Sequence, residues 1–241
     1  MSMNHASRTL TDALLDPILK NDPAGPRVTF YDDATGERVE LSALTLANWA
    51  AKTANLLRDE FGVEPGARVA VLLPAHWQTS AVLLGAWWAG AEVVLEADAD
   101  AEIALVSAQH LGDVEDVPEV AALSLDAFGR PVPDLPVGIT DYATSVRVHG
   151  DQFRPTVAGP ALAGKSVDDV LAAALASAES QGITGTDRVL SEEAWDSPDA
   201  LIDGLVAVFA AGASLVQVTN ADAAARSRRV DTEKITRQLT R

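Results

Sequence analysis

Gly159-Pro160-Ala161-Leu162-Ala163-Gly164-Lys165-Ser166 fits the pattern G-x-x-x-x-G-K-[ST]. In a P-loop that spacing lets backbone N–H groups and the lysine hold phosphates while the hydroxyl meets Mg2+. Gly164, Lys165 and Ser166 are therefore candidate nucleotide-binding residues. The surroundings argue against it. Phe153–Ala158, which would have to be the strand before the loop, contains Pro155 and makes a poor central strand. Only 75 residues follow the match, too few for the usual sheet of such an enzyme. Ser166 with Asp169 three residues on also reads as a helix start. The helix start is the favoured reading; a nucleotide hydrolase or transferase using Lys165 and Ser166 is the alternative.

Other reactive groups are sparse. The absence of Cys removes disulfides, thiolate nucleophiles and Cys-ligated metals together. His5, His76, His110 and His149 are scattered, with no pair at metal-ligand spacing. His76-Trp77 follows a strand at a carboxyl edge, where α/β sheets bind ligands, yet buried or surface histidines are commoner than working ones. Glu96, Asp98, Asp100 and Glu102 alternate and would share a side only if extended; a solvated loop is the expectation. No Gly-x-Ser-x-Gly elbow is present. Trp77, Trp87 and Trp88 are expected in the core. No metal site and no catalytic residue is expected.

The elements that would position these groups come as a repeat. Gly62-Val63 followed by Arg68-Val69 matches Gly182-Ile183 followed by Arg188-Val189, at an offset of 120 residues. Ala89-Gly90-Ala91 before Glu92–Leu95 matches Ala211-Gly212-Ala213 before Ser214–Gln217, at an offset of 122. Upstream of each first Gly, apolar residues fall at helical spacing: Leu46, Trp49, Ala50, Thr53, Leu56 and Leu57, then Val167, Val170, Leu171, Ala174, Leu175 and Ala178. The unit reads helix, Gly turn, strand, helix, Ala-Gly-Ala turn, strand. Its strands are apolar throughout, as in parallel sheets covered on both faces.

Further strands are expected at Glu102–Val106, Val120–Leu125, Tyr142–Val148 and around Ile235–Leu239, with most of Val117–Gly138 as loop. Arg27–Tyr31 and Arg38–Leu41 predict a hairpin. The fold class is α/β, a layered αβα arrangement with mostly parallel sheets and two pseudo-symmetric halves. The expected division is 1–150, including the hairpin, and 151–241, together one compact unit.

A net charge of −17 argues against nucleic acid and anionic membrane as partners, since both require clustered Lys and Arg. Thr79–Leu95 and Leu201–Val218 are shorter than the ~20 residues of a membrane span and read as helix-then-strand pairs. Met1–Leu10 lacks the apolar core of a signal peptide, so a cytoplasmic location is expected.

Thr29-Phe30-Tyr31, Leu41-Ser42-Ala43-Leu44 with its helix, and Gly62-Val63-x-Pro65-Gly66-x-Arg68-Val69-Ala70-Val71-Leu72-Leu73-Pro74 resemble the opening of the adenylate-forming superfamily, which includes the acyl-CoA synthetases. Ala81–Leu95 looks like the next helix and strand of that superfamily. The resemblance spans residues 25–240, strongest to Ala97, and is closest to a short actinobacterial family related to these synthetases. It implies an N-terminal domain built of two similar halves. It also implies a Ser/Thr/Gly loop ending in Pro-Lys-Gly, which holds the ATP phosphates. His149-Gly150-Asp151-Gln152-Phe153-Arg154-Pro155 stands there instead. Gly150, Asp151 and Arg154 are the remnants of that phosphate loop, and an Asp there repels the ligand. The superfamily's adenine- and ribose-binding motifs and mobile C-terminal domain would fall beyond residue 241 and are not part of this sequence, so adenylation is not expected.

The resulting expectation is a catalytically degenerate, truncated acyl-CoA synthetase-like protein, a binding or regulatory module. No cofactor is expected; ATP, AMP or an acyl-CoA near Pro74–Trp77 and Gly150–Arg154 is the ligand alternative. One part of a split adenylate-forming ligase is a further alternative. A homodimer or another protein partner is expected to cover apolar surface.

Overall fold

The computed structural model describes residues 8–239. His5, and the part of the signal-peptide expectation that falls on Met1–Ser7, lie outside the described residues. The chain forms two compact α/β units, each with a five-stranded, mostly parallel sheet. The described part of the first unit is residues 8–12, Ala47–Leu73 and Ala81–Val167; that of the second is Ala13–Leu46, Pro74–Ser80 and 168–239.

The helix α1 (Leu10–Asn21) opens the chain, followed by β1 (Pro26–Asp32), β2 (Glu37–Ser42) and α2 (Ala43–Asp59). Then come β3 (Arg68–Leu72), α3 (Trp77–Trp88), β4 (Glu92–Val94), β5 (Ile103–Ser107), β6 (Glu119–Leu123) and β7 (Thr140–Asp141). A short helix α4 (Tyr142–Val146) precedes α5 (Val167–Gln181) and β8 (Arg188–Ser191). The next helical stretch is α6 (Pro198–Leu201), one π-helical segment (Ile202–Val206) and α7 (Ala207–Ala210). β9 (Ser214–Thr219), α8 (Ala223–Thr232) and β10 (Arg237–Gln238) close the described chain.

The sheet of the first unit has the order β4-β3-β5-β6-β7, with every pair parallel. Ala70, Val94, Ala104, Val106, Val114 and Val120 form one buried cluster on it. The sheet of the second unit has the order β10-β8-β9-β1-β2, parallel except for the β1–β2 hairpin. The hairpin is formed as expected, but β1 pairs with β9, so it joins the second sheet rather than the first half of the chain.

The repeat is visible bond for bond. In β3 and β4 Arg68 pairs with Glu92; in β8 and β9 Arg188 pairs with Ser214, preserving offsets of 120 and 122. Ala67 N–H donates to Glu64 O and Asp187 N–H to Thr184 O. Ala91 N–H donates to Ala86 O and Ala213 N–H to Val208 O, closing the two helix ends. The paired glycines Gly62/Gly182 and Gly90/Gly212 all have positive φ, between 65° and 82°. The π-helical turn at Ile202–Val206 lies in the stretch where the offset grows, and a widened turn absorbs an inserted residue without ending the helix.

One expectation needs correction, and two helices were not foreseen. Tyr142–Val148 is not a strand. Its place in the sheet is taken by the two residues Thr140–Asp141, and Tyr142 opens α4. Asp141 is the reason: its carboxylate accepts from Thr144 N–H at 2.7 Å and from the Thr144 hydroxyl at 2.6 Å, an N-cap that turns the chain helical. The helices α1 and α8 were not expected. Pro17 inside α1 hid a helix whose start is nevertheless marked by Thr9 and Asp12, whose side chains exchange bonds with each other's backbone N–H. In α8, Ala223–Thr232 has no apolar stripe, and its start is set by Asp222, which accepts from Ala224 N–H at 2.9 Å.

Candidate functional site

The segment at the expected phosphate loop is held by α2. Lys52, Asn55 and Asp59 fall at helical spacing, and with Arg58 they present a polar stripe to residues 147–153. Lys52 Nζ donates to His149 O at 2.6 Å and to Arg147 O at 3.4 Å. Asn55 Nδ2 donates to Gly150 O and Gln152 O, both at 2.9 Å. Arg58 fixes the orientation of that amide by donating to Asn55 Oδ1 at 2.8 Å, and its guanidinium lies 4.8 Å from the centre of the Phe153 ring. His149 Nε2 stands 3.2 Å from Glu60 Oε2. The groups gathered here are carbonyl oxygens meeting side-chain donors. A phosphate cradle needs the reverse, converging backbone N–H groups. Gly150, Asp151 and Arg154 are all exposed.

The second candidate, Gly159–Ser166, is a miniature hairpin on the edge of β4. Ala161 N–H donates to Lys165 O at 2.7 Å and Lys165 N–H to Leu162 O at 2.9 Å. Ala163 and Gly164 form the turn with φ of 47° and 79°, the two positive values of a type I′ hairpin. Ala163 N–H donates to Val93 O, Val93 N–H to Ala161 O, and the Trp87 indole N–H to Ala161 O at 2.7 Å. Gly164 N–H donates to Glu92 Oε1 at 2.7 Å. The amides of 161–165 are thus satisfied within the protein, one of them by a carboxylate. Ser166 directly precedes α5, the N-cap position expected for it.

The repeat accounts for this hairpin. Leu162 pairs in parallel with Val93 beside β4, as Val28 pairs in parallel with Leu215 beside β9. Gly159 serves the same packing: a Cβ there would lie 2.5 Å from Gly90 O and 2.6 Å from Gly66 Cα.

The remaining candidates are resolved by their partners. Arg68 Nη1 lies 3.2 Å from Asp98 and 3.5 Å from Asp100, so two of the four alternating acids face a cation, and no group of metal-ligating residues occurs among the described residues. His76 is buried in the second unit. Its Nδ1 accepts from Gln78 N–H at 3.1 Å, its ring meets Phe30 edge-on, and Nε2 lies 3.8 Å from Glu37 Oε1. Burial lowers its pKa, and the nearby Glu37 and Asp32 only partly oppose that. Trp77 and Trp87 are buried as expected, and Trp88 is half-buried with its indole N–H on Asp12 Oδ1 at 2.7 Å.

Sequence reading missed the Lys52–Asn55–Arg58 stripe, although Lys52, Asn55 and Asp59 repeat at i, i+3 and i+7 on the side away from Leu46, Ala50 and Leu57. It also missed a buried charged cluster in the second unit. There the Glu233 carboxylate accepts from Tyr31 Oη, Arg38 Nε and Arg188 Nη2, and Arg229 pairs with Asp33 while lying over the Tyr31 ring.

No protein-family model matches the chain. A protein of Mycobacterium tuberculosis described as a "TIGR03089 family protein" is 59% identical over 239 residues, covering 96% of this chain and 98% of that protein. The chain belongs to the TIGR03089 family. This TIGR03089 chain also has the fold found in the N-terminal part of acyl-CoA synthetases. The crystal structure of a Brucella canis acyl-CoA synthetase superposes with a TM-score of 0.79 at 17% identity, over 98% of this chain and 48% of that one. The anthranilate CoA ligase AuaEII, solved with anthranoyl-AMP, gives 0.72 at 15% identity, over 96% and 49%. The chain spans about half the length of these two structures, and at such identities the likeness is one of fold.

Proposed function

We propose that this chain is a catalytically degenerate member of the acyl-CoA synthetase fold, working as a binding or regulatory module rather than as an AMP-forming ligase. One observation carries the reading. Where the superfamily's Ser/Thr/Gly loop would stand, His149–Pro155 offers its carbonyls to Lys52 and Asn55 and carries Asp151. Charge stabilisation by aimed N–H donors is the main thing such a loop contributes to phosphoryl chemistry, and this loop is built with the opposite polarity. Nucleotide hydrolysis at Gly159–Ser166 is disfavoured by the amides of 161–165 already being spent in the hairpin. The test is exchange of radiolabelled pyrophosphate into ATP with a panel of carboxylic acids. No exchange above the protein-free rate is expected, and acid-dependent exchange would defeat the reading.

The proposal includes a cytoplasmic location and a partner, a second copy of this chain. No described helix is long and apolar enough to cross a membrane. Phe128 and Val148 in the first unit are 81% and 82% exposed, and Arg147 bonds back to the carbonyls of Phe128 and Gly129. Two large apolar side chains this open, close to one another through Arg147, are what supports a contact surface here. Light scattering is expected to give the mass of a dimer, and Phe128→Asp that of a monomer. A monomeric wild-type mass would count against the partner.

A further inference from the structure

Three parallel strands of the second unit, β8, β9 and β1, begin around a cavity of about 300 Å3. Leu14, Pro17 and Ile18 of α1 and Phe209 of α7 give it an apolar wall. Arg27, at the start of β1, lines it too, and that residue is only 4% exposed. Its Nη1 donates to Gly212 O and Ala213 O, each at 2.7 Å. Its Nε is buried and has no acceptor among the described residues. That Nε is closed off even from water, so the cavity meets the rest of the guanidinium, a buried group of charged donors suited to an anion.

The same wall carries negative character. Asp22 lines the cavity and attracts Arg27 electrostatically. Two helices end on it, α1 at Asn21 and α7 at Ala210, and helix C-termini favour positive charge. A ligand bearing only a carboxylate would face Asp22 and both helix ends. A ligand bearing only an ammonium would face Arg27. A molecule with both charges on an apolar body satisfies both sides of the wall.

We propose that this cavity binds a small aliphatic α-amino acid, with its carboxylate on Arg27, its ammonium at Asp22 and its side chain against Leu14, Pro17, Ile18 and Phe209. The site lies at the amino ends of the strands, whereas open α/β sheets hold their usual ligands at the carboxyl ends. It shares no residue with Gly150–Arg154 or Gly159–Ser166. The proposal therefore stands whether or not the chain adenylates a substrate.

Calorimetric titration of the full chain with L-leucine tests it. Saturable binding is expected. 4-Methylpentanoate and 3-methylbutylamine keep the same body and lose one charge each, so each should bind at least roughly tenfold more weakly, since a hydrogen bond to a charged group is worth that much or more. Ala13→Phe fills the cavity from a half-buried position and leaves Arg27 in place; it should abolish the leucine heat. If that variant does not fold, Ala211→Phe fills the cavity from the α7 side and should read the same. Absence of saturable heat with L-leucine overturns the proposal. So does equal affinity for either single-charge analogue, or unchanged affinity in a folded, filled variant.

Discussion

Glu233→Ala is expected to lower the unfolding free energy by about 3 kcal/mol at neutral pH, the low end of what removing one partner from a buried ion pair costs. The carboxylate is 7% exposed and accepts from Tyr31 Oη, from Arg38 Nε at 2.9 Å and from Arg188 Nη2. Arg188 is itself mostly buried, its Nη1 without an acceptor among the described residues and its Nη2 also on Thr29 Oγ1 at 2.9 Å. Taking Glu233 away leaves that guanidinium with Glu40, 3.2 Å away and 36% exposed, as its one remaining ion-pair partner among the described residues. α8 then keeps the Arg229–Asp33 pair, the Arg226–Glu192 pair and Val230 to hold it in place.

The same carboxylate sets a pH dependence. Burial pushes the Glu233 pKa up, but the hydrogen bonds from Tyr31, Arg188 and Arg38 together outweigh it and hold the group below its usual value. A depressed folded-state pKa gives stability that is fully present above the unfolded-state pKa of about 4.3 and is lost as pH falls through the folded value. The gap between wild type and Glu233→Ala, measured by urea unfolding, should be largest at neutral pH and shrink below about pH 4. A gap under about 1 kcal/mol at pH 7 would show the cluster to be no better than a surface ion pair.

The second large effect falls on Gly159. Substitution by Ala would place a Cβ 2.5 Å from Gly90 O and 2.6 Å from Gly66 N, backbone on both sides with no flexible side chain to yield. Gly159 N–H and Gly66 N–H both donate to Gly90 O, at 3.1 and 2.9 Å, so relief of the clash breaks the bonds that close the first repeat. A loss of about 3 kcal/mol is expected, the upper part of the range for overpacking a tight site. Chemical denaturation of Gly159→Ala measures it. A glycine needed only to let a phosphate approach would leave the stability of the ligand-free protein nearly unchanged, so a loss below about 0.5 kcal/mol would revive the P-loop reading.

The repeated scaffold was legible because its signals are local. Gly62, Gly90, Gly182 and Gly212 mark turns that need positive φ, and the Arg68-Val69 and Arg188-Val189 openings announce buried parallel strands. The hairpin around Gly36 was legible for the same reason, with φ of 77° at that glycine. What was hidden depended on partners distant in sequence. Nothing near Glu233 indicates that it meets Tyr31, Arg38 and Arg188, and α8 has no apolar stripe because its anchorage is mostly ionic. Arg27 looks like an ordinary strand-edge cation until Gly212 and Ala213 are brought against it. Tyr142–Val148 was misread for a different reason: its β-branched and aromatic residues favour a strand, and a single Asp141 cap overrides them. At the candidate site, the missing Ser/Thr/Gly residues were plain from sequence, but the grip of Lys52 and Asn55 on the loop's carbonyls was not.

We propose that the synthetase fold persists here without a phosphate cradle. Pyrophosphate exchange into ATP tests it most directly, because it reads adenylate formation without needing the later acceptor. A rate indistinguishable from the protein-free control is expected with every carboxylic acid tried. Acid-dependent exchange by the purified wild-type chain, abolished when Lys52 or Arg154 is replaced, would contradict it.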